Sequence, residues 1–142
     1  MKEKYTKNAR KVLQEAYHLA DGFGQSYIGT EHLLLALAEQ EGVAKDILIK
    51  NGLESGKLLS LIKDLVVLDG LEKPDGEDSF SPLARKVVLD SIQEANAYGE
   101  RLAGTEHILI ALLKEKECVA VRLLNTMEIH VFNVFKDVVL LI

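Results

Sequence analysis

The residues of this chain that are best suited to chemistry occur in two copies of one tetrapeptide. Gly-Thr-Glu-His occupies residues 29–32 and returns at residues 104–107, an offset of 75. In each copy the glutamate, Glu31 or Glu106, comes before an apolar stretch with helical spacing, so its carboxylate would lie in the first turn of a helix. A carboxylate there can act only as a good helix start, or it can have a binding role in addition. The residues alone leave both interpretations open.

A second pair of residues could bind an anion. Thr6 and Ser81, again 75 residues apart, each precede a helical pattern and can cap it. The free N–H groups of a helix start suit a phosphate, and Lys7, Arg10 and Arg85 lie close by in sequence. Taken singly, each start is also an ordinary cap followed by basic side chains. Because both pairs share one offset, any surface site of the repeated unit should occur twice.

The remaining reactive side chains form no catalytic set. His32 and His107 lack the spacing of a zinc motif, which favours a hydrogen-bonded, half-buried imidazole over a metal ligand. The single Cys118 is expected to be a small packed residue. The stretch 52–57 resembles a phosphate loop only faintly, because its glycines are one residue too close and Leu58 stands where Ser or Thr is needed. We therefore expect no enzyme activity, no metal and no cofactor.

Apolar residues at three- and four-residue spacing predict four helices in each half of the chain. In the first half, Thr6 and Thr30 are the expected caps of the first two helices, and Asn51-Gly52 ends the third. The second half repeats the pattern at about 81–98, 104–115, 118–126 and 130–142. The expected fold is all-α, with repeat one at 1–68, a linker at 69–80 and repeat two at 81–142.

The offset between the halves becomes 76 after the second helix, so the second repeat has one inserted residue. Gly52 is then matched by Glu128. A glycine that ends a helix commonly adopts a left-handed backbone, which is strained for other residues. The repeat therefore predicts backbone strain at Glu128.

Composition narrows the classes of function. The chain has 142 residues, of which 48% are hydrophobic and only 6% aromatic, as is typical of a helical core of aliphatic side chains. A net charge of −5 argues against binding to nucleic acid. The lone Cys118, the absence of a bilayer-length apolar run and the lack of a signal peptide predict a cytoplasmic protein that acts away from membranes.

The repeated residues, in this order, resemble the N-terminal domain of the Clp AAA+ unfoldases, and the ClpC type most closely. The matching motifs are Thr6-x-x-Ala9-x-Lys11-Val12-Leu13, Ile28-Gly-Thr-Glu-His-Leu-Leu-Leu-Ala-Leu, Asn51-Gly52-Leu53 and their second copies. The resemblance implies a pseudo-twofold bundle of eight helices that packs two tandem four-helix repeats. It also implies a domain that recruits adaptors and substrates to an ATP-driven ring.

The same resemblance implies a ligand. ClpC-type domains bind phosphorylated arginine, a degradation mark, in two equivalent pockets. By position, Glu31 and Glu106 would hold the guanidinium group, and the phosphate would lie at the helix starts of Thr6, with Lys7, and of Ser81. The sequence leaves open whether a pocket combines residues of one repeat or of both.

The implied partners are phosphoarginine-bearing substrates, adaptors of the MecA and McsB type and, indirectly, the Clp ATPase ring and the ClpP protease. The alternative is a free-standing regulatory protein that binds a Clp chaperone–protease complex and tunes it.

Overall fold

The structure is a computed structural model that describes residues 2–65 and 79–142. Within those residues a short 3₁₀ turn, Lys2–Lys4, precedes eight α-helices. Their bounds are α1 Lys7–Gly22, α2 Thr30–Glu39, α3 Val43–Lys50, α4 Ser55–Leu65, α5 Pro82–Ala97, α6 Thr105–Lys114, α7 Val119–Thr126 and α8 Val131–Leu141. The predicted all-α fold of two four-helix repeats is confirmed. The predicted linker at 69–80 lies outside the described residues except for its last two.

The first helix of each repeat begins as predicted. The Thr6 hydroxyl accepts a hydrogen bond from the Ala9 N–H at 3.1 Å, and the Ser81 hydroxyl accepts one from the Ala84 N–H at 3.2 Å. Pro82 occupies the first helical position of α5, where a missing N–H does not disturb the helix. Both caps therefore satisfy one of the N–H groups that a helix start leaves free.

The prediction that Thr30 caps the second helix is wrong. Gly29 is the N-cap of α2, and Thr30 is the first residue inside the helix. The Thr30 hydroxyl instead accepts from the Ala120 N–H at the start of α7, 3.2 Å away in the other repeat. The reason is tertiary packing. Because α2 packs against α7, an N–H group at the start of α7 lies within reach of the Thr30 hydroxyl and takes it as acceptor.

Helices α2 and α6 form the centre of the molecule. Apolar residues cover nearly their whole circumference and are almost completely buried, as is typical of a helix enclosed by others. Each packs against the first helix of its own repeat, and the two also contact each other. One core thus spans both repeats, and it positions the Gly-Thr-Glu-His segment at the start of each central helix. No helix in the described parts of the chain is both long and apolar enough to cross a membrane.

The strain predicted at the turn before the last helix is confirmed. Glu128 has a φ of 60°, and it is the single non-glycine residue with positive φ among the described residues. Gly52, at the matching position, has a φ of 95°. The second repeat thus keeps the left-handed turn without the residue that adopts it at low cost.

We predict that Glu128→Gly raises the free energy of unfolding. Relief of left-handed strain is worth about 1–2 kcal/mol, and the added entropy of an unfolded glycine removes about half of that, so the net gain is about 0.5–1 kcal/mol. Urea unfolding followed by circular dichroism measures the change. Gly52→Ala, which puts a side chain at the matching left-handed position of the first repeat, should lower stability. Equal stability of Glu128→Gly and the parent would contradict the prediction.

Candidate functional site

Backbone hydrogen bonds attach the first helix of each repeat to the tetrapeptide of the other. The Thr6 N–H donates to the Ala103 carbonyl at 2.9 Å, directly before the Gly-Thr-Glu-His of residues 104–107. In the matching position, the Ser81 N–H donates to the Ile28 carbonyl, also at 2.9 Å. Short β-bridges, Tyr5 with Ala103 and Ile28 with Phe80, complete each contact. Each helix start therefore lies beside the glutamate of the opposite repeat.

A cavity of about 310 Å³ lies at the first of these contacts. It contains three of the sequence-predicted site residues, Thr6, Lys7 and Glu106. Its other lining residues, which the sequence did not indicate, are Asn8, Gly42, Val43 and Thr105. The cavity thus combines the starts of α1 and α3 with the first turn of α6. Its lining residues therefore come from both repeats.

The remaining predicted residues, Glu31 and Ser81, belong to the second contact. Two bonds show that this contact is built like the first. The bond of Ser81 with Ile28 corresponds to that of Thr6 with Ala103. The bond of Thr30 with Ala120 corresponds to that of Thr105 with Ala44. The structure therefore brings Thr6 and Lys7 together with Glu106 in one cavity, and it bonds Ser81 to the residue directly before the tetrapeptide that contains Glu31.

Each glutamate side chain folds back over the cap of its own helix. A Cβ placed on Gly29 would overlap Oε1 of Glu31, and a Cβ on Gly104 would overlap Oε1 of Glu106 in the same way. Burial raises the pKa of Glu31, and a hydrogen bond from its own backbone N–H partly opposes the shift. A carboxylate that is partly desolvated in this way is poised to bind a cation, because its charge is incompletely compensated by the protein.

The two helix starts offer different numbers of donors. In α1 the Ala9 N–H bonds to the Thr6 hydroxyl and the Arg10 N–H to the Thr6 carbonyl, which leaves the N–H groups of Lys7 and Asn8 without a partner inside the helix. The exposed Lys7 also adds an ammonium group at this start.

In α5 the matching residues are Pro82, which has no N–H, and Leu83, whose side chain is 40% exposed. The starts of α1 and α5 therefore differ in the number of N–H groups that they leave without a partner inside the helix.

The two tetrapeptide histidines are structural partners of the glycines. Nδ1 of His32 accepts from the Gly29 N–H, and Nδ1 of His107 accepts from the Gly104 N–H, both at 2.9 Å. The predicted hydrogen bond is confirmed, but the rings are fully buried rather than half-buried, with 1% exposure each. Burial lowers the pKa of His32 to about 4, which keeps Nδ1 free to accept.

The described residues contain no group of three or more His, Cys, Asp or Glu arranged to hold a metal ion. Cys118 is buried, as predicted for a packed residue.

The protein is therefore a duplicated all-α domain. Its two four-helix repeats share one core, and helix starts of each repeat form hydrogen bonds with the other repeat. The family profile described as "Clp repeat (R) N-terminal domain" matches residues 4–127 and 79–140. The chain belongs to this Clp N-terminal domain family.

Similar proteins support this assignment. The chain is 39% identical over 125 residues to "Chaperone protein ClpB" of Oceanobacillus iheyensis and 38% identical over 125 residues to "Negative regulator of genetic competence ClpC/MecB" of Bacillus subtilis. Each alignment covers 87% of this chain but 15% of the relative, so the chain spans a small part of their length.

Solved structures show the same fold. The N-terminal domain of ClpD from Arabidopsis thaliana superimposes with a TM-score of 0.80 at 19% identity and covers 98% of this chain and 97% of its own. A ClpV N-domain in complex with a VipB peptide has a TM-score of 0.74 at 19% identity, with coverage of 95% and 84%. At such identities the likeness concerns the fold alone.

The buried His32 predicts a pH dependence of stability. In the unfolded chain its imidazole takes up a proton near its ordinary pKa of 6.5, whereas in the folded protein it resists protonation down to about pH 4. Acid therefore favours unfolding, and this residue should remove up to about 3 kcal/mol of stability as the pH falls from 6.5 to 4. Urea unfolding as a function of pH measures the slope.

The matched variants for this prediction are His32→Asn, whose amide oxygen can replace Nδ1 as acceptor, and His18→Asn, which removes an exposed imidazole. We expect a shallower slope between pH 6.5 and 4 for His32→Asn than for the parent and the control. An identical slope in all three proteins would show that His32 is not the group responsible.

Proposed function

We propose that this domain is a non-enzymatic recognition module of a Clp unfoldase that binds phosphoarginine-marked proteins in two pockets. The observation that carries the proposal is the cavity in which Glu106 lies with the start of α1. It offers an acceptor for a cation and donors for an anion within one recess. Phosphoarginine carries both charges on one side chain, so a site of this kind matches it better than it matches arginine or phosphate alone.

The guanidinium group would take the Glu106 carboxylate as a forked acceptor, because a planar cation with paired N–H donors suits a carboxylate. The phosphate would accept from the N–H groups of Lys7 and Asn8, with the Lys7 ammonium as counter-charge. In the second pocket Glu31 and the start of α5 at Ser81 would have the corresponding roles.

The wider role follows from the family. A related ClpV N-domain forms a complex with a VipB peptide, so the fold can present a protein-binding surface. We infer that the present domain likewise captures substrates, or adaptors of the MecA and McsB type, in the cytoplasm. It would deliver them to a Clp ATPase ring and through it to ClpP. The net charge of −5 agrees with a protein partner and not a nucleic acid.

Isothermal titration with free phosphoarginine tests the proposal. The parent should bind two equivalents, Glu31→Gln and Glu106→Gln should each bind one, and the double variant none, because each substitution removes a charged acceptor. Glu54→Gln, which changes an exposed acid that does not line the Thr6–Glu106 cavity, is the control and should bind two. Two-site binding that survives in the double variant would refute the assigned role of these acids.

We further expect unequal pockets, in contrast to the equivalence that the resemblance implies. The Thr6–Glu106 pocket has two free N–H groups and an ammonium, whereas Pro82 leaves its counterpart with fewer donors. Glu31→Gln, which keeps the first pocket, should therefore bind phosphoarginine about 10-fold more tightly than Glu106→Gln, which keeps the second. The affinities come from the same titrations.

Exchange of the distinguishing residue provides the matched controls. Lys7→Gln in the Glu31→Gln background should weaken binding and flatten its dependence on salt. Pro82→Lys in the Glu106→Gln background should strengthen it. Equal affinities in the two single-site variants would show that these donors do not determine affinity.

A further inference from the structure

We propose that Gly29 and His32, with their counterparts Gly104 and His107, are positioning residues that hold the glutamate carboxylates in their binding orientation. The proposal rests on the function proposed above, since it concerns the same two pockets. It assigns these residues a task in addition to helix capping, in which Nδ1 of each histidine accepts the N–H of the N-cap glycine.

The glycines are not needed for their backbone conformation. Gly29 has φ −95° and ψ 175°, and Gly104 has φ −96° and ψ −179°, which are extended values open to any residue. They also provide no capping side chain, which Ser, Thr or Asp would do at an N-cap. What distinguishes them is that the glutamate carboxylate lies where a Cβ would be. The absence of a side chain at this position creates the place for the carboxylate.

The histidines fix the surface against which the carboxylate lies. Nδ1 of His32 accepts the Gly29 N–H, so the peptide at the cap has one orientation. The ring cannot turn freely, because it is buried and lies against Phe23 with 5.8 Å between ring centroids. The same bond in the second tetrapeptide, with Tyr98 near His107, shows that the arrangement is a feature of both repeats.

The threonines attach this unit to the opposite repeat. The hydroxyl of Thr105 accepts from the Ala44 N–H at 3.2 Å, and that of Thr30 accepts from the Ala120 N–H at the same distance. In each tetrapeptide, the threonine therefore bonds to the other repeat, and the histidine bonds to the glycine of the same tetrapeptide. Between them, Glu106 lines the cavity at the start of α1, which belongs to the other repeat.

Gly29→Ala and Gly104→Ala test the inference. The new Cβ would meet only the end of a flexible glutamate side chain, so the protein should fold while the carboxylate is displaced. We expect Gly29→Ala to lose the Ser81–Glu31 pocket and Gly104→Ala to lose the Thr6–Glu106 pocket, each with about a 10- to 100-fold loss of phosphoarginine affinity at that pocket. Gly22→Ala is the matched control, because a Cβ there meets nothing within 4 Å.

A second readout does not depend on the ligand. The raised pKa of Glu31 comes from burial, so displacement of its carboxylate in Gly29→Ala should return the pKa toward its ordinary value. An NMR titration of the side-chain carboxyl carbon measures this, with Gly22→Ala again as control. A purely structural role for Gly29 would leave the Glu31 titration unchanged.

Histidine variants add a conservative rescue. His32→Asn retains an acceptor for the Gly29 N–H and should preserve phosphoarginine affinity at the Ser81–Glu31 pocket. His32→Leu removes that acceptor and should weaken binding at the same pocket. Once Glu31→Gln is present, neither Gly29→Ala nor His32→Leu should weaken binding further, because both act through that carboxylate.

The outcomes separate this inference from the proposed function. If the parent binds no phosphoarginine but the Glu31 pKa falls in Gly29→Ala, the ligand assignment is wrong and the positioning role stands. If the parent binds and Gly29→Ala changes neither affinity nor the Glu31 pKa, the positioning role is refuted while the proposed function survives.

Discussion

The structure depends on the need to satisfy free N–H groups at helix starts with partners from the other repeat. At the start of α3 the Ala44 N–H donates to the hydroxyl of Thr105, and at the start of α7 the Ala120 N–H donates to that of Thr30. Both bonds are buried, where an unpaired N–H would cost about 1–3 kcal/mol. A repeat without its partner would lose this acceptor at the start of its third helix, which favours the packing in which the two central helices are in contact.

This exchange also explains where the candidate cavity lies. The backbone bond from Thr6 to Ala103 brings the start of α1 against the tetrapeptide of repeat two, with the start of α3 beside it. Donors from one repeat and a carboxylate from the other then meet at the contact. A site of this kind is rigid, because its two sides are joined by hydrogen bonds within the domain and not by a loop that must close. The same bonds that stabilise the fold thus pre-organise the recess.

Local features of the molecule were predictable from sequence, and long-range partners were not. Helical spacing and caps indicated the helices, and the shifted repeat located the left-handed Glu128, because these depend on neighbours within a few residues. The partner of Thr30 lies 90 positions away, so its local pattern suggested only an ordinary cap. Of the residues missed in the pocket, Thr105 carried a signal, since it lies within the repeated tetrapeptide. Asn8 and Val43 carried none, because nothing in sequence relates either to Glu106.

The two repeats differ where the fold permits it. In both copies of the tetrapeptide the glycine, threonine and histidine make hydrogen bonds within the domain, and the glutamate carboxyl group lies beside the glycine. The first positions of α1 and α5 face outward and can vary, as Lys7 and Pro82 do, since either residue begins a helix well. Proline improves the helix start but removes an N–H that an anion could use. The duplication therefore retains the carboxylate and its neighbours in both tetrapeptides, while the N–H donors differ between the starts of α1 and α5.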